Sequence, residues 1–442
     1  MRHRTSPRRS IHASGQDDRS SGIYRLSTLP NGVRVATAAM PHMRSVSVGF
    51  WVNVGGRHES SALNGISHFV EHLLFKGTKK RSARQITESV EGVGGFINAF
   101  TSEDHTCYYA KAAANYLPLL CEVLADMFLH SEFAASEIER ERDVIREEIM
   151  MYRDQPSQQA QEMLMELMWP RHALGRPLTG TVESLATFDR EKVLDFVRSH
   201  YHGGTLLVTV AGNARHDDVM QIIEPLLSSI PKKKAAVAKP WIAKNWQAQV
   251  RVATEDTEQT HLSLACHTIS RNDERRFALK ILNVILGENM SSRLFQELRE
   301  KHAYCYSVQA ETLTLADTGI VNISVGLDSE KLRPALRLIL REFDRVIHKL
   351  VSAKELKQAK DYTVGHNDLS LESTTHQMMW IGESILAYDR IVEPFEIQAR
   401  LRAVTATEVQ EVAHLTLVPE KMAMAVVGKG VDQAAVENWV SG

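Results

Sequence analysis

Residues 64–75 read NGISHFVEHLLF, and the apolar residues of this stretch predict a helix. At about 100° per residue, His68 and His72 lie within about 40° of each other on that helix, and Glu71 lies beside them. The rest of the helix surface is apolar, so these three ionisable side chains form one narrow wedge. Burying the wedge unpaired would be expensive, so we expect it to face a metal, a partner or a cleft.

The spacing of the wedge suits a zinc site. Two imidazoles one helical turn apart can both reach a single Zn²⁺ at the usual distance of ~2 Å. A neighbouring glutamate can take a proton from the metal-bound water, whose pKa zinc lowers to about 7. The order H-x-x-E-H is the reverse of H-E-x-x-H. The alternative is a structural pair of histidines without a metal, so a third ligand is needed to favour the zinc site.

The helix predicted over residues 135–152 offers that ligand. Glu141 and Glu148 are seven residues apart and project from the same, otherwise apolar face, whereas Glu147 points toward the charged side. We therefore predict that Glu148 is the third ligand and that Glu141 orients a ligand histidine from behind. Three protein ligands without an apparent fourth predict one catalytic zinc ion per chain, with one coordination position left open.

Size and composition exclude several other classes of protein. The composition, 43% hydrophobic and 24% charged, is typical of a soluble globular protein. A formal net charge of -2 gives no reason to expect nucleic acid or an anionic membrane as partner. No apolar run approaches the roughly 18 residues that a membrane span needs. The four scattered cysteines indicate reduced, buried thiols in a reducing compartment.

The order of secondary structure predicts two similar domains. Strands and helices occur in clusters with hairpins, which favours an α+β fold of mainly antiparallel sheet flanked by helices. The pattern of residues 23–229 recurs in residues 247–442, and the Pro- and Lys-containing residues 230–246 form a predicted linker. The helix equivalent to the motif helix reads ERRFALKILNVIL at residues 274–286, without the metal ligands. We therefore expect a zinc-binding N-terminal domain and a homologous C-terminal domain that lacks the motif.

The N-terminal residues 1–22 are rich in Arg and Ser and contain almost no apolar residues. This composition is not that of a secretory signal, which needs an apolar region. A mitochondrial presequence fits the arginines and serines but not Asp17 and Asp18, so a disordered tail is favoured. The acidic residues in the tail favour the bacterial cytoplasm as the location, with the mitochondrial matrix as the alternative.

From about Tyr24 to its end, the chain resembles the insulinase/pitrilysin family of zinc metallopeptidases. Within that family it is most similar to the β-subunit of the mitochondrial processing peptidase and its bacterial homologues. The most specific stretches are HFVEHLLFKGT, GGFINAFTSEDHTCYY, IERERDVIREEI, HALGRPLTGT and SSRLFQELREKHAYCYSV. The resemblance implies a clamshell of homologous α+β domains. It assigns the same roles that the positions of the residues on the two helix faces predict. These are zinc ligands at His68, His72 and Glu148, a general base at Glu71 and a supporting carboxylate at Glu141.

The resemblance also implies where a peptide substrate binds. The residues Gly95, Phe96, Ile97, Asn98 and Ala99 match the edge strand to which the substrate adds as a further strand. Backbone pairing of this kind gives affinity with little sequence preference. Without the resemblance, the same residues would be interpreted as an ordinary strand.

Two residues of the second half match the family's Arg and Tyr that help to bind substrate and stabilise the oxyanion. They are Arg299 and Tyr306, and the C-terminal domain is therefore expected to be substrate-binding. A guanidinium and a phenol can both donate hydrogen bonds to a developing oxyanion. In isolation, Arg299 would be interpreted as a surface charge and Tyr306 as a strand residue.

The assembly expected from the resemblance is a homodimer. The processing peptidase has a partner α-subunit with a long glycine-rich loop, whereas this chain has only LGENMSSRLF in the corresponding region. It also holds the complete metal set in one chain, so each subunit's second domain is expected to complete its partner's site. The expected function is a zinc-dependent endopeptidase for extended or unfolded peptides. The alternative is a non-catalytic core or scaffold subunit, which would not need the ligands and the base.

Overall fold

A computed structural model of the protein describes residues 22–242 and 247–441 and contains two β-sheets, one in each half of the chain. The tail predicted at residues 1–22 lies outside the described residues except for Gly22, and so do residues 243–246 of the predicted linker. Residues 231–242, the described part of the linker that follows the first half, form neither helix nor strand.

Strands and helices occur in clusters along the chain, as the sequence pattern predicts. The strands are β1 (Tyr24–Thr28), β2 (Arg34–Ala39), β3 (Ser45–Val52), β4 (Phe96–Thr101), β5 (Thr106–Ala113), β6 (Leu206–Gly212), β7 (Gln249–Thr254), β8 (Thr260–Thr268), β9 (Cys305–Thr314), β10 (Gly319–Leu327) and β11 (Met422–Gly428). The α-helices are α1 (Ile66–Leu73), α2 (Ala83–Glu91), α3 (Leu117–His130), α4 (Ala135–Arg153), α5 (Pro156–Met168), α6 (Val182–Leu185), α7 (Arg190–His200), α8 (His216–Leu227), α9 (Arg276–Asn283), α10 (Leu332–His348), α11 (Ala353–Ser370), α12 (Thr374–Tyr388), α13 (Pro394–Ala403), α14 (Ala406–Thr416) and α15 (Gln433–Ser441). Two π-helical segments, Val284–Glu288 and Phe295–Lys301, follow α9.

The two sheets share one topology. The N-terminal sheet has the strand order β1-β2-β6-β3-β5-β4, and the C-terminal sheet has the order β7-β11-β8-β10-β9. All neighbouring strands are antiparallel except β2 with β6 and β7 with β11. The two orders match strand by strand once β1 is set aside, so the second sheet repeats the first. This confirms the predicted α+β fold of mainly antiparallel sheets, and it places β4 and β9 at equivalent edges.

Each sheet also carries a helix from the other half of the chain. Ile381 of α12 and Trp51 of β3 belong to one buried cluster on the N-terminal sheet. The approach is close because α12 has a glycine there: a Cβ on Gly382 would lie 2.4 Å from the Trp51 ring. In the same way, Leu164 of α5 is buried in one cluster with Ala423 of β11 on the C-terminal sheet. This exchange of helices couples the two halves.

A buried network of charges also joins the halves. The Arg57 guanidinium lies 3.1 Å from Asp104 in the β4–β5 turn and 2.9 Å from Asp317 of the second half. Arg271, also from the second half, lies 2.8 Å from Asp104. Because buried charges are tolerated only when they are paired, these contacts tie the β4–β5 turn to the C-terminal half.

The four cysteines are buried and form no disulfide with one another. This agrees with the reduced, buried thiols that their scattered positions predict. Within residues 22–242 and 247–441, none of the helices combines the length and the apolar character that a membrane span requires.

Candidate metal centre

Helix α1 presents its three ionisable residues on one face. His68, Glu71 and His72 are separated by three and four residues, which is close to one helical turn. The other faces of α1 are buried, and Phe69 packs edge-on against Phe188 with a centroid distance of 5.4 Å. The helix contacts α4, β4 and β5. This packing fixes the rotation of α1 and directs the wedge toward α4, as the apolar pattern predicts.

The two histidines of α1 and a glutamate of α4 converge on one point. Glu148 Oε2 lies 3.7 Å from His68 Nε2 and 3.7 Å from His72 Nε2. All three donor atoms lie within 4.8 Å of one another. A distance of 3.7 Å is too long for a hydrogen bond. It is close to the separation of about 3.3 Å between neighbouring ligand atoms of a tetrahedral zinc ion with bonds of ~2.0–2.1 Å. The arrangement is therefore that of ligands around a cation.

The donor set fits zinc. Two imidazole nitrogens and one carboxylate oxygen are ligands that Zn²⁺ accepts, and three protein ligands with an open position are typical of catalytic rather than structural sites. Among the described residues, His68, His72 and Glu148 form the group of His, Cys, Asp and Glu side chains that could hold a metal ion.

His72 is oriented by Glu141, which lies two turns before Glu148 on α4. The His72 Nδ1–H donates to Glu141 Oε2 at 3.1 Å, which leaves the Nε2 lone pair free for a metal. Lys76 Nζ lies 2.7 Å from the other oxygen of Glu141. Burial opposes the ionisation of Glu141, but the hydrogen bonds from His72 and Lys76 outweigh it and lower its pKa. Glu141 is therefore a carboxylate that supports the imidazole from behind.

His68 lacks such a side-chain support. Its Nδ1 is buried and has no hydrogen-bond partner among the described residues. Burial, together with the neighbouring His72, lowers the pKa of His68 to about 3. The imidazole is therefore neutral over the physiological pH range, and its nitrogen lone pair is available to a cation.

Glu71 lies beside the ligands without joining them. Its Oε2 accepts a hydrogen bond of 2.6 Å from the hydroxyl of Thr101, the last residue of β4. Burial raises the pKa of Glu71, while the Thr101 hydrogen bond and His72 act in the opposite direction. A carboxylate with a raised pKa, held by one oxygen, is suited to accept and release a proton.

A cavity of about 470 Å³ opens at this face of the molecule. Its walls include His68, Glu71 and Glu148 from the cluster and Arg176 from the loop before α6. The cavity is lined in part by side chains that also line a second cavity, of about 480 Å³, beside the edge strand β9. The lining residues that the two cavities share are Glu103, Gln161 and Met165. The space at the cluster therefore continues toward the C-terminal sheet.

The predicted substrate strand forms the edge of the N-terminal sheet, with one difference at its start. Strand β4 begins at Phe96, and Gly95 belongs to the turn after α2, where its N–H donates to the Val90 carbonyl at 3.1 Å. A Cβ at Gly95 would lie 2.6 Å from the Lys111 carbonyl oxygen, so the close approach requires glycine.

The outer edge of β4 has a backbone donor that its neighbour β5 does not use. The N–H of Ala99 donates to the side chain of Asn98 at 2.8 Å. Asn98 is exposed, and Phe96 at the start of the strand is exposed as well. The strand runs from this open edge to Thr101, which contacts Glu71. An extended peptide on β4 would therefore lie along a path that leads to the cluster.

Arg299 and Tyr306 lie together but apart from the cluster. The Arg299 guanidinium lies over the Tyr306 ring, 4.9 Å from its centroid, at the start of β9. The Tyr306 residue is 76% exposed. Neither residue lines the cavity at His68 and Glu148. The structure thus brings the two residues to each other, but not to the ligands of the same chain.

Three residues near the cluster were missed by the sequence reasoning. Thr101 and Lys76 lie in stretches that carry the family resemblance, but neither has a predicted role. Glu59 precedes α1 by seven residues, and its carboxylate accepts hydrogen bonds from the first turn of that helix. The local sequence does not indicate these contacts, because the two residues of each contact do not lie in the same predicted element.

Comparison with known proteins identifies the class. Residues 34–182 match the insulinase family, peptidase family M16, and residues 187–362 match the inactive domain of peptidase M16. A zinc protease of Streptomyces coelicolor, described as uncharacterised, is 36% identical over 420 residues, which are 94% of this chain and 91% of the relative. An uncharacterised zinc protease of Bacillus subtilis is 36% identical over 402 residues, 90% of this chain and 97% of that one.

Solved structures show the same fold. The crystal structure of a protease from Helicobacter pylori superposes with a TM-score of 0.86, covering 92% of this chain and 99% of that one at 20% sequence identity. The chain belongs to the insulinase family of peptidases, M16, and its relatives over almost the whole length are named as zinc proteases.

Proposed function

We propose that this protein is a zinc-dependent endopeptidase that hydrolyses extended or unfolded peptides. The observation that carries the proposal is the convergence of His68, His72 and Glu148 on one point, with the half-buried Glu71 beside them and a cavity in front. The names of its relatives support zinc and proteolysis in general. The role of Glu71 rests on the geometry, and the choice of an internal peptide bond rests on the family resemblance.

In this proposal, one zinc ion per chain is held by His68, His72 and Glu148. When bound, zinc would polarise the scissile carbonyl and acidify a water molecule in the open position. Glu71 is placed to accept a proton from the water that attacks the scissile carbonyl, through its free oxygen Oε1, since Oε2 is engaged by Thr101. Glu71 then delivers the proton to the leaving amine, so a single carboxylate serves as base and then as acid.

The substrate binds as a strand added to the open edge of β4. Supporting this, the N–H of Ala99 is not used by β5, and β4 ends at the residue that holds Glu71. Backbone pairing explains how one site could accept many sequences, provided that the peptide is extended. A folded protein cannot offer such a strand, so unfolded segments are the expected substrates.

Proline in place of Ala99 is expected to weaken peptide binding specifically. Proline lacks the N–H that faces the open edge, and edge positions tolerate it. We expect Ala99→Pro to raise KM about 10-fold or more, the equivalent of one or two lost hydrogen bonds, with zinc content unchanged. The measurement is steady-state cleavage of an unstructured peptide.

The control for Ala99→Pro is Ala99→Val, which retains the N–H and favours a strand. The edge-strand assignment would be wrong if the proline variant kept the KM of the wild type, or if the valine variant lost binding to the same extent.

Arg299 and Tyr306 are proposed to stabilise the oxyanion in a partner's site within a homodimer. Tyr306 lies on the edge strand β9 and Arg299 lies over its ring from the preceding π-helical segment, yet neither residue lines the cavity of its own chain. Light scattering should give twice the mass of the chain, whereas a monomer that is fully active would remove this part of the proposal. The relatives from Streptomyces and Bacillus support a bacterial protein over a mitochondrial one, and the bacterial cytoplasm is the proposed location.

The proposed activity is tested on the wild-type protein with a long unstructured peptide. We expect mass spectrometry to show cuts at internal bonds, loss of cutting after treatment with a chelator, and its return with stoichiometric Zn²⁺. Cuts only at the peptide ends would contradict an endopeptidase. Zinc binding without any cutting would favour the non-catalytic scaffold, which at present no feature of the site supports.

A further inference from the structure

The helix that carries the metal motif has no cap of its own. Helix α1 starts after Gly65, which has a left-handed φ of 91° and offers no side-chain acceptor. The first N–H groups of a helix have no partner within the helix and need one from elsewhere. Ser82 illustrates the ordinary solution at α2, where its hydroxyl accepts from the N–H of Gln85.

At α1 the capping group is the carboxylate of Glu59, which precedes the helix. Its Oε2 accepts from the N–H of Gly65 at 2.7 Å, and its Oε1 accepts from the N–H of Ser67 at 2.8 Å. The Asn64 side-chain amide adds a longer contact of 3.4 Å to Oε2. Both carboxylate oxygens are therefore engaged by the segment that leads into the metal helix.

Glu59 is buried to an unusual degree for a capping group. The residue is only 5% exposed, and no Lys, Arg or His of the described residues forms an ion pair with it. Burial raises the pKa of Glu59, and the hydrogen bonds from the backbone N–H groups of Ser67 and Gly65 act in the opposite direction. Its main chain is anchored as well, because the Arg176 guanidinium donates to the Glu59 carbonyl at 2.6 Å. Arg176 in turn lines the cavity in front of the cluster.

The position of this cap matters for one ligand in particular. Ser67, whose N–H Glu59 holds, directly precedes His68. The imidazole of His72 is fixed from behind by Glu141, whereas the Nδ1 of His68 has no partner among the described residues. The orientation of His68 therefore depends on the backbone of the first helical turn.

We propose that Glu59 is a positioning residue for the metal site: it fixes the first turn of α1, and with it His68. Glu59 thus does for His68 through the backbone what Glu141 does for His72 through its side chain. The inference rests on the proposed zinc site.

The test compares zinc affinity in Glu59→Gln and in the matched cap variant Ser82→Ala, using competition with a chromophoric chelator. Glu59→Gln keeps the size of the side chain but loses the charge and one acceptor. We expect its zinc affinity to fall about 10- to 100-fold, as for other residues that support metal ligands from behind. Ser82→Ala removes a cap from a helix outside the site, so it should lower the unfolding temperature without changing zinc affinity.

Cobalt provides a second readout that a purely structural role would not move. The visible spectrum of the Co²⁺-loaded protein should change in Glu59→Gln and remain that of the wild type in Ser82→Ala. If Glu59→Gln does not fold, Glu59→Asp decides, since a shorter carboxylate keeps the charge and should give an intermediate affinity. Wild-type affinity and spectrum in the Glu59 variant would overturn the inference and leave the zinc site standing. A wild type that binds no zinc would remove both.

Discussion

Glutamine in place of Glu71 is expected to abolish peptide cleavage while the zinc ion stays bound. The amide has the shape of the carboxylate, and its oxygen can still accept the hydrogen bond from Thr101, but it cannot take a proton from water. General acid–base catalysis contributes typically 10²- to 10⁴-fold, and here one group is proposed to serve both steps. We therefore expect kcat to fall by at least about 1,000-fold, with KM and zinc content close to those of the wild type.

The matched control for Glu71→Gln is Thr101→Val, which removes the hydroxyl and leaves the carboxylate. The loss of one hydrogen bond to a charged group costs about 1.5–3 kcal/mol at most, so kcat should fall by one to two orders of magnitude. A Glu71→Gln variant that cleaves as well as Thr101→Val would show that another group accepts the proton. A Glu71→Gln variant that has lost its zinc would make Glu71 a ligand rather than a base.

Glutamine in place of Glu148 is expected to remove the metal. Glu148 supplies the third donor atom of the site and the only negative charge among the three ligands. A neutral amide oxygen is a poor replacement. If the binding free energy of about 10–16 kcal/mol at a four-ligand zinc site is shared among the ligands, the loss of one lowers the affinity at least about 100-fold. Equilibrium dialysis against a zinc buffer, followed by elemental analysis, measures the change.

The chain itself provides the control for Glu148→Gln. Glu147 is the preceding residue on α4, but its side chain is 76% exposed and lies near Arg146 rather than near the histidines. Glu147→Gln should therefore bind zinc and cleave peptides as the wild type does. Equal effects of the two substitutions would mean that the face of α4 toward α1 has been assigned incorrectly.

The sequence predicts the parts of the site that depend on helical periodicity. The wedge on α1 and the shared face of Glu141 and Glu148 on α4 follow from the repeat of about 3.6 residues. The structure places both glutamates against His72 accordingly. The predicted substrate strand is present as well, although β4 starts one residue later than Gly95 and extends beyond Ala99 to Thr101.

The features that the sequence does not predict are contacts between distant elements. Helix α5 was not predicted, and it packs on the sheet of the opposite half, which no local pattern could indicate. The helix predicted over residues 274–286 is shorter in the structure than predicted. Helix α9 ends at Asn283, and the chain continues as a π-helical segment that contains Gly287. Glu59 gave no signal, since an isolated acidic residue before a helix is ordinarily exposed to solvent.

Anomalous diffraction at the zinc edge, from crystals grown with Zn²⁺, tests the proposed zinc site most directly. We expect one strong peak per chain at ~2.0–2.2 Å from His68 Nε2, His72 Nε2 and an oxygen of Glu148, with Glu71 outside the coordination sphere. A peak elsewhere with this site empty, or a fourth protein ligand that closes the coordination sphere, would contradict it.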